Sequence, residues 1–199
     1  AATSYGFGEK TGEVLARIDG ALVVAAESRE EVRVALSGQS ATGQKGGQGD
    51  LAAWKRSIEE AFGSGRVKLV GYPVVDASGA LLHEECVARL RIAPDGDWFA
   101  AGEFMPWVSR LDLGARLDEI VVQLALARLR AEAGSLCLNI SAQAIADPLV
   151  LHRIAAALSS EPSLAARVWL EVPEHGAFRN LEQFRVFCAL FKPTGCRLG

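Results

Sequence analysis

Residues 136–172 read LCLNISAQAIADPLVLHRIAAALSSEPSLAARVWLEV, and this stretch decides the fold. Leu136–Ile140 is a short apolar run broken by Asn139, and residues 167–172 form a second run broken by Glu171. Between them, residues 148–159 read as a helix. Two strands joined by a helix of that length make a βα unit, which implies neighbouring parallel strands.

Working outward, the same alternation extends in both directions. The pattern predicts a helix from Asp50, acting as its cap, to Phe62, with Leu51, Trp54, Ile58 and Phe62 on one face. Strands are predicted at Val67–Val75 and at residues 81–92, joined by the turn Asp76-Ala-Ser-Gly79. Helices follow at Ala101–Arg110 and at residues 115–133, another at residues 181–191, and the start of a strand at residues 195–199. Residues 37–49, SGQSATGQKGGQG, carry almost no apolar side chain and read as a linker. Residues 1–36 hold a strand-like start and a helical pattern over 11–26, too little for a core of their own.

The composition sets the class. Of 199 residues, 50% are hydrophobic and 23% charged, enough apolar material for a packed core. A net charge of −3 lacks the basic field of a sequence-independent nucleic-acid binder. No apolar run reaches the ~18 residues of a membrane span. Cys86, Cys137, Cys188 and Cys196 form no CxxC pair and read as buried thiols of a reducing compartment. The chain opens on Ala1-Ala2-Thr3, which suggests a piece of something longer.

Polar groups interrupt three strands that should be apolar throughout. Alternation puts Glu85, Val87 and Arg89 on one face, and Asn139 and Glu171 break the two later strands. Two carboxylates and an amide oxygen on neighbouring strands suit a hard cation such as Mg²⁺ or Mn²⁺, and Arg89 suits a phosphate. The plainer alternative is a set of solvated strand ends with ordinary ion pairs. His83, His152 and His175 share no motif and read as structural, and the four tryptophans read as core side chains.

In order along the chain stand Gly71-Tyr-Pro-Val-Val75, Glu85-Cys-Val-Ala-Arg89, Phe104-Met-Pro106, Leu117-Asp118, Leu138-Asn-Ile-Ser141 and Leu170-Glu-Val-Pro-Glu174. This series resembles the first half of an EAL domain, a family that binds cyclic di-GMP and, in active members, hydrolyses it. The resemblance implies an α/β fold, a TIM-like (β/α) barrel of the EAL type with about half of it in this chain. Residues 11–26 are similar to the closing helix of a GGDEF domain. The implied organisation is a GGDEF remnant over 1–36, a linker over 37–49 and the N-terminal part of an EAL domain over 50–199. The surroundings of Phe104-Met-Pro106 and Leu117-Asp118 look like those of LapD-type degenerate GGDEF–EAL receptors.

By the same resemblance Glu85, Asn139 and Glu171 are metal ligands for Mg or Mn, Arg89 and Tyr72 contact the ligand, and Glu174 supports the site. The chain departs from the family pattern at Tyr72, where a glutamine stands, and at Cys86, Val87, Ser109 and Pro173. The expected function is a cyclic-di-GMP receptor module in bacterial signalling and biofilm regulation. The alternative is a phosphodiesterase that opens cyclic di-GMP to pGpG, with this 199-residue chain alone expected to be inactive. The expected partners are cyclic di-GMP and a second copy in a homodimer, with no nucleic-acid polymer. A cytoplasmic location follows, with membrane attachment only through other parts of a parent protein.

Overall fold

The computed structural model describes residues 48–172 and 181–199, all within one unit spanning Thr42–Gly199. The expectations for residues 1–36, for most of the linker and for Glu174 lie outside the described residues. Helix α1 (Gln48–Gly63) leads into β1 (Val67–Val75) and β2 (Leu81–Leu90), then α2 (Ala101–Arg110) and α3 (Gly114–Ala131). Strand β3 (Leu136–Asn139) is followed by α4 (Ala142–Ala146), α5 (Pro148–Ser159) and α6 (Pro162–Ala165). The described chain continues with β4 (Val168–Glu171), α7 (Leu181–Phe191), a 3₁₀ turn (Lys192–Thr194) and β5 (Arg197–Leu198). The sheet runs in the order β1-β2-β3-β4-β5, antiparallel between β1 and β2 and parallel throughout the rest. It is a partial barrel: sequence-ordered parallel strands, each connection carrying helix.

Local chemistry explains the element ends. In the β1–β2 turn the Asp76 carboxylate accepts hydrogen bonds from the Ser78 amide at 2.8 Å and the Ala80 amide at 3.0 Å. Gly79 then takes φ 85°, a conformation that favours glycine. Asp147 caps α5 by accepting from the amides of Leu149 and Val150, with Pro148 in the first turn. Ser141 caps α4 through an Ala144 amide bond of 3.1 Å. Asp50 does not cap α1: the helix begins two residues earlier, at Gln48, and Asp50 lies inside its first turn. Acidic groups are favoured anywhere in a first turn, so the residue type marked the helix start without fixing the cap.

The two faces of the sheet have different chemistry. Register pairs Glu85 with Cys137 and Cys137 with Trp169, so residues two apart from these share one face. The opposite face presents Val67, Cys86, Leu90, Leu136, Leu138, Val168 and Leu170, all buried. Against it pack Phe104 and Val108 of α2, Leu117, Val121, Ala125 and Leu129 of α3, and Phe187 and Phe191 of α7. Pro73 is tolerated in β1 because that strand is the sheet edge.

One polar pair is set into the helix-facing side. Glu84 meets Arg128 of α3 at 2.9 Å, and Arg128 also donates to Glu132. Both partners lie directly over Gly71, where an added Cβ would come within 1.9 Å of Glu84 Oε2 and 2.9 Å of Arg128 Nη1. Gly71→Ala therefore has to displace the ion pair, and we expect a loss of about 1–3 kcal/mol in urea unfolding. A loss below ~0.5 kcal/mol would mean that Glu84 swings aside freely.

Three sequence expectations need correction in detail. Cys188 is half-buried, unlike the other three thiols, because its side of α7 is not fully covered. Trp98 is also only half-buried, and its ring lies under Lys68 Nζ at 4.2 Å and the Arg91 guanidinium at 4.9 Å. It is a cation-covered surface ring, not a core side chain. Trp54 and Trp107 stack on each other with centroids 5.9 Å apart, at the core margin.

Candidate functional site

The open face of the sheet carries the polar residues. Strand β2 contributes His83, Glu85 and Arg89, β3 contributes Cys137 and Asn139, and β4 contributes Trp169 and Glu171. Tyr72 of β1 is the direct cross-strand partner of Glu85 and joins the same face. All five described site residues named from the sequence (Tyr72, Glu85, Arg89, Asn139 and Glu171) therefore belong to one surface of one sheet.

They do not stand in one row. Asn139 pairs directly with Glu171, whereas Glu85 pairs with Cys137, two residues lower along β3. Glu85 bridges that offset: its Oε1 accepts from Asn139 Nδ2 at 3.5 Å. A half-turn of the amide would present the Asn139 oxygen instead, so the pair can offer three oxygens or a donor and acceptors. Glu85 and Glu171 are half-buried, so neither carries the full desolvation cost that the sequence pattern suggested.

At the β1 side, Arg89 Nη2 donates to the Tyr72 hydroxyl at 2.9 Å. Tyr72 is 47% exposed. The guanidinium keeps its other donors for a further acceptor, and the phenol holds it in place.

Below Asn139 and Glu85 lies a layer that sequence reasoning did not assign to the site. His83 is 7% exposed, and its ring packs on Trp169 with centroids 4.8 Å apart. The Arg197 guanidinium covers Trp169 at 4.8 Å. Cys137 is fully buried, and its thiol lies within 4.8 Å of the Glu171 carboxylate. Burial first, and the adjacent carboxylate second, push that thiol up to about 12. The strand period itself was the signal: His83 is two residues before Glu85, and Cys137 two before Asn139.

The loop behind Asn139 is fixed from α3. Asp118, only 5% exposed, accepts from the Ser141 amide at 2.8 Å. Gln143 accepts from the Gly114 amide at 2.7 Å and donates to the Ser109 carbonyl at 3.0 Å, tying α4 to the α2–α3 turn. Phe104 is buried and Pro106 exposed on α2, so the Phe104-Met-Pro106 motif acts here through packing. Among the described residues, no helix is long and apolar enough to cross a membrane.

Comparison with known proteins agrees with this fold. The family model described as EAL domain matches residues 55–199. A comparison with curated proteins finds no match. Among solved structures, the chain is similar to the Vibrio cholerae LapD S helix–GGDEF–EAL structure bound to c-di-GMP. The TM-score is 0.70 at 22% identity, covering 96% of this chain and 46% of that one. The Xanthomonas citri FimX EAL domain in complex with c-di-GMP aligns with a TM-score of 0.66 at 23% identity, covering 76% of this chain and 61% of that one. The PaMucR phosphodiesterase in its c-di-GMP complex gives a TM-score of 0.59 at 22% identity, covering 67% and 58% of the two chains. This chain thus spans about half the length of the LapD structure. With the family model matching nearly three quarters of its length, the chain belongs to the EAL domain family.

Proposed function

We propose that the chain is a cyclic-di-GMP receptor module. The observation that carries this reading is the Arg89–Tyr72 hydrogen bond on the same open face as Glu85, Asn139 and Glu171. A guanidinium held by a phenol is organised to receive a phosphodiester oxygen by charge-assisted hydrogen bonds. The LapD, FimX and PaMucR structures named above carry c-di-GMP, which supports the same ligand class here. Receptor function would place the module in a GGDEF–EAL protein, with residues 1–36 closing a GGDEF domain, 37–49 as linker and 50–199 in the EAL domain. Signal output through a homodimer, in the cytoplasm and beside a membrane-anchored parent, belongs to the same proposal.

Glu85, Asn139 and Glu171 fit Mg²⁺ or Mn²⁺, being two carboxylates and an amide oxygen on adjacent strands. Such a cation would neutralise phosphodiester charge and polarise the phosphorus–oxygen bonds. Glu174 would support that set. Retention of all three donors favours a second reading, a phosphodiesterase giving pGpG. Tyr72, Ser109 and Pro173, where the family pattern has other residues, favour the receptor.

Incubation of the protein with cyclic di-GMP and Mn²⁺, with nucleotide chromatography beside a binding isotherm, separates the two. We expect saturable binding with the ligand recovered intact. Arg89→Ala should weaken it about 10- to 100-fold, the loss of roughly 1.5–3 kcal/mol for charged hydrogen bonds. Conversion to pGpG that disappears in Glu85→Ala would replace the receptor with the enzyme. Neither binding nor conversion would overturn both.

A further inference from the structure

Three donors of a different character converge lower on the same face. One ligand atom each from His83, Cys137 and Glu171 lies within 4.8 Å of the other two, on three adjacent strands. The register explains the convergence. His83 is two residues below the level of Glu85 and Cys137, and Glu171 is two residues above it, so the three form a diagonal across β2, β3 and β4.

A second observation is independent of that grouping. His83 is 93% buried by its 7% exposure, and its Nδ1 is enclosed without a hydrogen-bond partner among the described residues. Buried imidazole nitrogens ordinarily have a partner, because burying a polar atom without one is unfavourable. Trp169, the ring packed against it, does not supply that partner, because its own Nε1 is likewise enclosed and unpaired among the described residues. The cluster therefore holds an imidazole with an unpartnered nitrogen, a sulfur and a carboxylate.

We propose that His83, Cys137 and Glu171 bind a zinc-class divalent cation in the floor of the open face. Sulfur and imidazole are poor ligands for Mg²⁺ and good ones for Zn²⁺, so the donor set selects a softer ion than Glu85 and Asn139 would. A tetrahedral zinc ion holds such donors roughly 3.3–3.8 Å apart, so the side chains need to close by at most about 1.5 Å. On binding, the thiol proton passes to water, and thiolate, carboxylate and dication together are neutral. Three protein ligands leave a fourth position open, the pattern of an exchangeable rather than a sealed site. Trp169, covered by the Arg197 guanidinium, packs beside the site on the His83 ring. Glu171 is common to this site and to the hard-cation set, so a soft ion bound here would withdraw it from the nucleotide side. Apart from that shared carboxylate, the inference does not rest on nucleotide binding.

The test is a titration of the purified protein with Co²⁺, without nucleotide, followed by Zn²⁺. We expect one equivalent of Co²⁺ to produce a thiolate-to-cobalt charge-transfer band in the near ultraviolet, which Zn²⁺ then removes. Cys137→Ser should abolish the band with an unchanged circular dichroism spectrum, and Cys188→Ser should retain it. His83→Gln keeps the thiol, and we expect at least tenfold weaker binding with the band still visible at saturation. No band in the parent protein, a band surviving Cys137→Ser, or unchanged affinity in His83→Gln would each overturn the site. Should Cys137→Ser fail to fold, the His83→Gln affinity decides alone. Nucleotide binding without a cobalt band would sink this inference only, and a band without nucleotide binding would sink only the receptor reading.

Discussion

Arg167→Ala is expected to destabilise the protein by about 2–3 kcal/mol. The Arg167 guanidinium sits at the entry to β4 and gathers three backbone carbonyls from the end of α3 and the residues after it. Nε donates to Gly134 at 2.6 Å, Nη1 to Leu129 at 2.9 Å and Nη2 to Glu132 at 2.5 Å. The Leu129 carbonyl belongs to the last turn of α3, which leaves its carbonyls without intrahelical partners at the negative end of the helix dipole, and the other two follow at and just past the helix end. A cation there satisfies several at once and fixes where α3 hands the chain to β3 and how β3 meets β4. Charged hydrogen bonds of this kind contribute roughly 1.5–3 kcal/mol in sum once exchange with water is counted. Arg167→Lys keeps the charge without the planar fork and should recover less than half of the loss. Urea unfolding of the two variants checks both statements. A loss under ~1 kcal/mol for alanine, or full recovery by lysine, would show that the fork does not hold the helix end.

The second large effect depends on pH. Burial pushes the Asp118 carboxyl up to about 6 from its ordinary 3.8, against the opposing pull of the Ser141 hydrogen bonds. A raised acid binds its proton more tightly in the folded chain than in the unfolded one. Stability from this group is therefore complete below pH ~4 and is lost as pH rises to about 6, after which it no longer changes. The difference of about two pH units corresponds to roughly 3 kcal/mol. Asp118→Asn keeps an oxygen to accept from the Ser141 amide and has no charge to bury. Its unfolding free energy should lack the decline between pH 4 and 6, and at pH 7.5 it should exceed that of the parent by up to ~3 kcal/mol. Parallel pH profiles for the two proteins would refute the assignment. Because Ser141 follows Asn139 by two residues and caps α4, the same variant should leave the β3–α4 loop in place.

Much of the fold is legible in local sequence. The strand at Val67–Val75 and the helices at Ala101–Arg110, Pro148–Ser159 and Leu181–Phe191 fall on their expected residues, and the other anticipated elements among the described residues lie within two residues of expectation. The signals are short-range: period-two alternation in strands, apolar residues at helical spacing, and Asp76 to Gly79 in the hairpin turn. The small helices α4 and α6 were not anticipated. Five and four residues are too few for a helical period to emerge; the Ser141 cap and packing hold α4, and α6, which has no side-chain cap, starts on Pro162 and buries Ala165. The start of α1 also escaped, since Gln48 and Gly49 carry a linker's composition.

The sequence by itself determined which residues share a strand face, because side-chain direction alternates along the backbone whatever surrounds it. Glu85 with Arg89, Cys137 with Asn139, and Trp169 with Glu171 were readable in that way. Only the tertiary structure decided how those faces align. Register between parallel strands is set by helices packing on the far side, through contacts such as Leu138 and Leu170 against α3 and α7, which no local pattern encodes. That register puts Glu85 level with Cys137 rather than with Asn139. It thereby lets Glu85 reach Asn139, and it draws His83, Cys137 and Glu171 together from three different levels of the sheet.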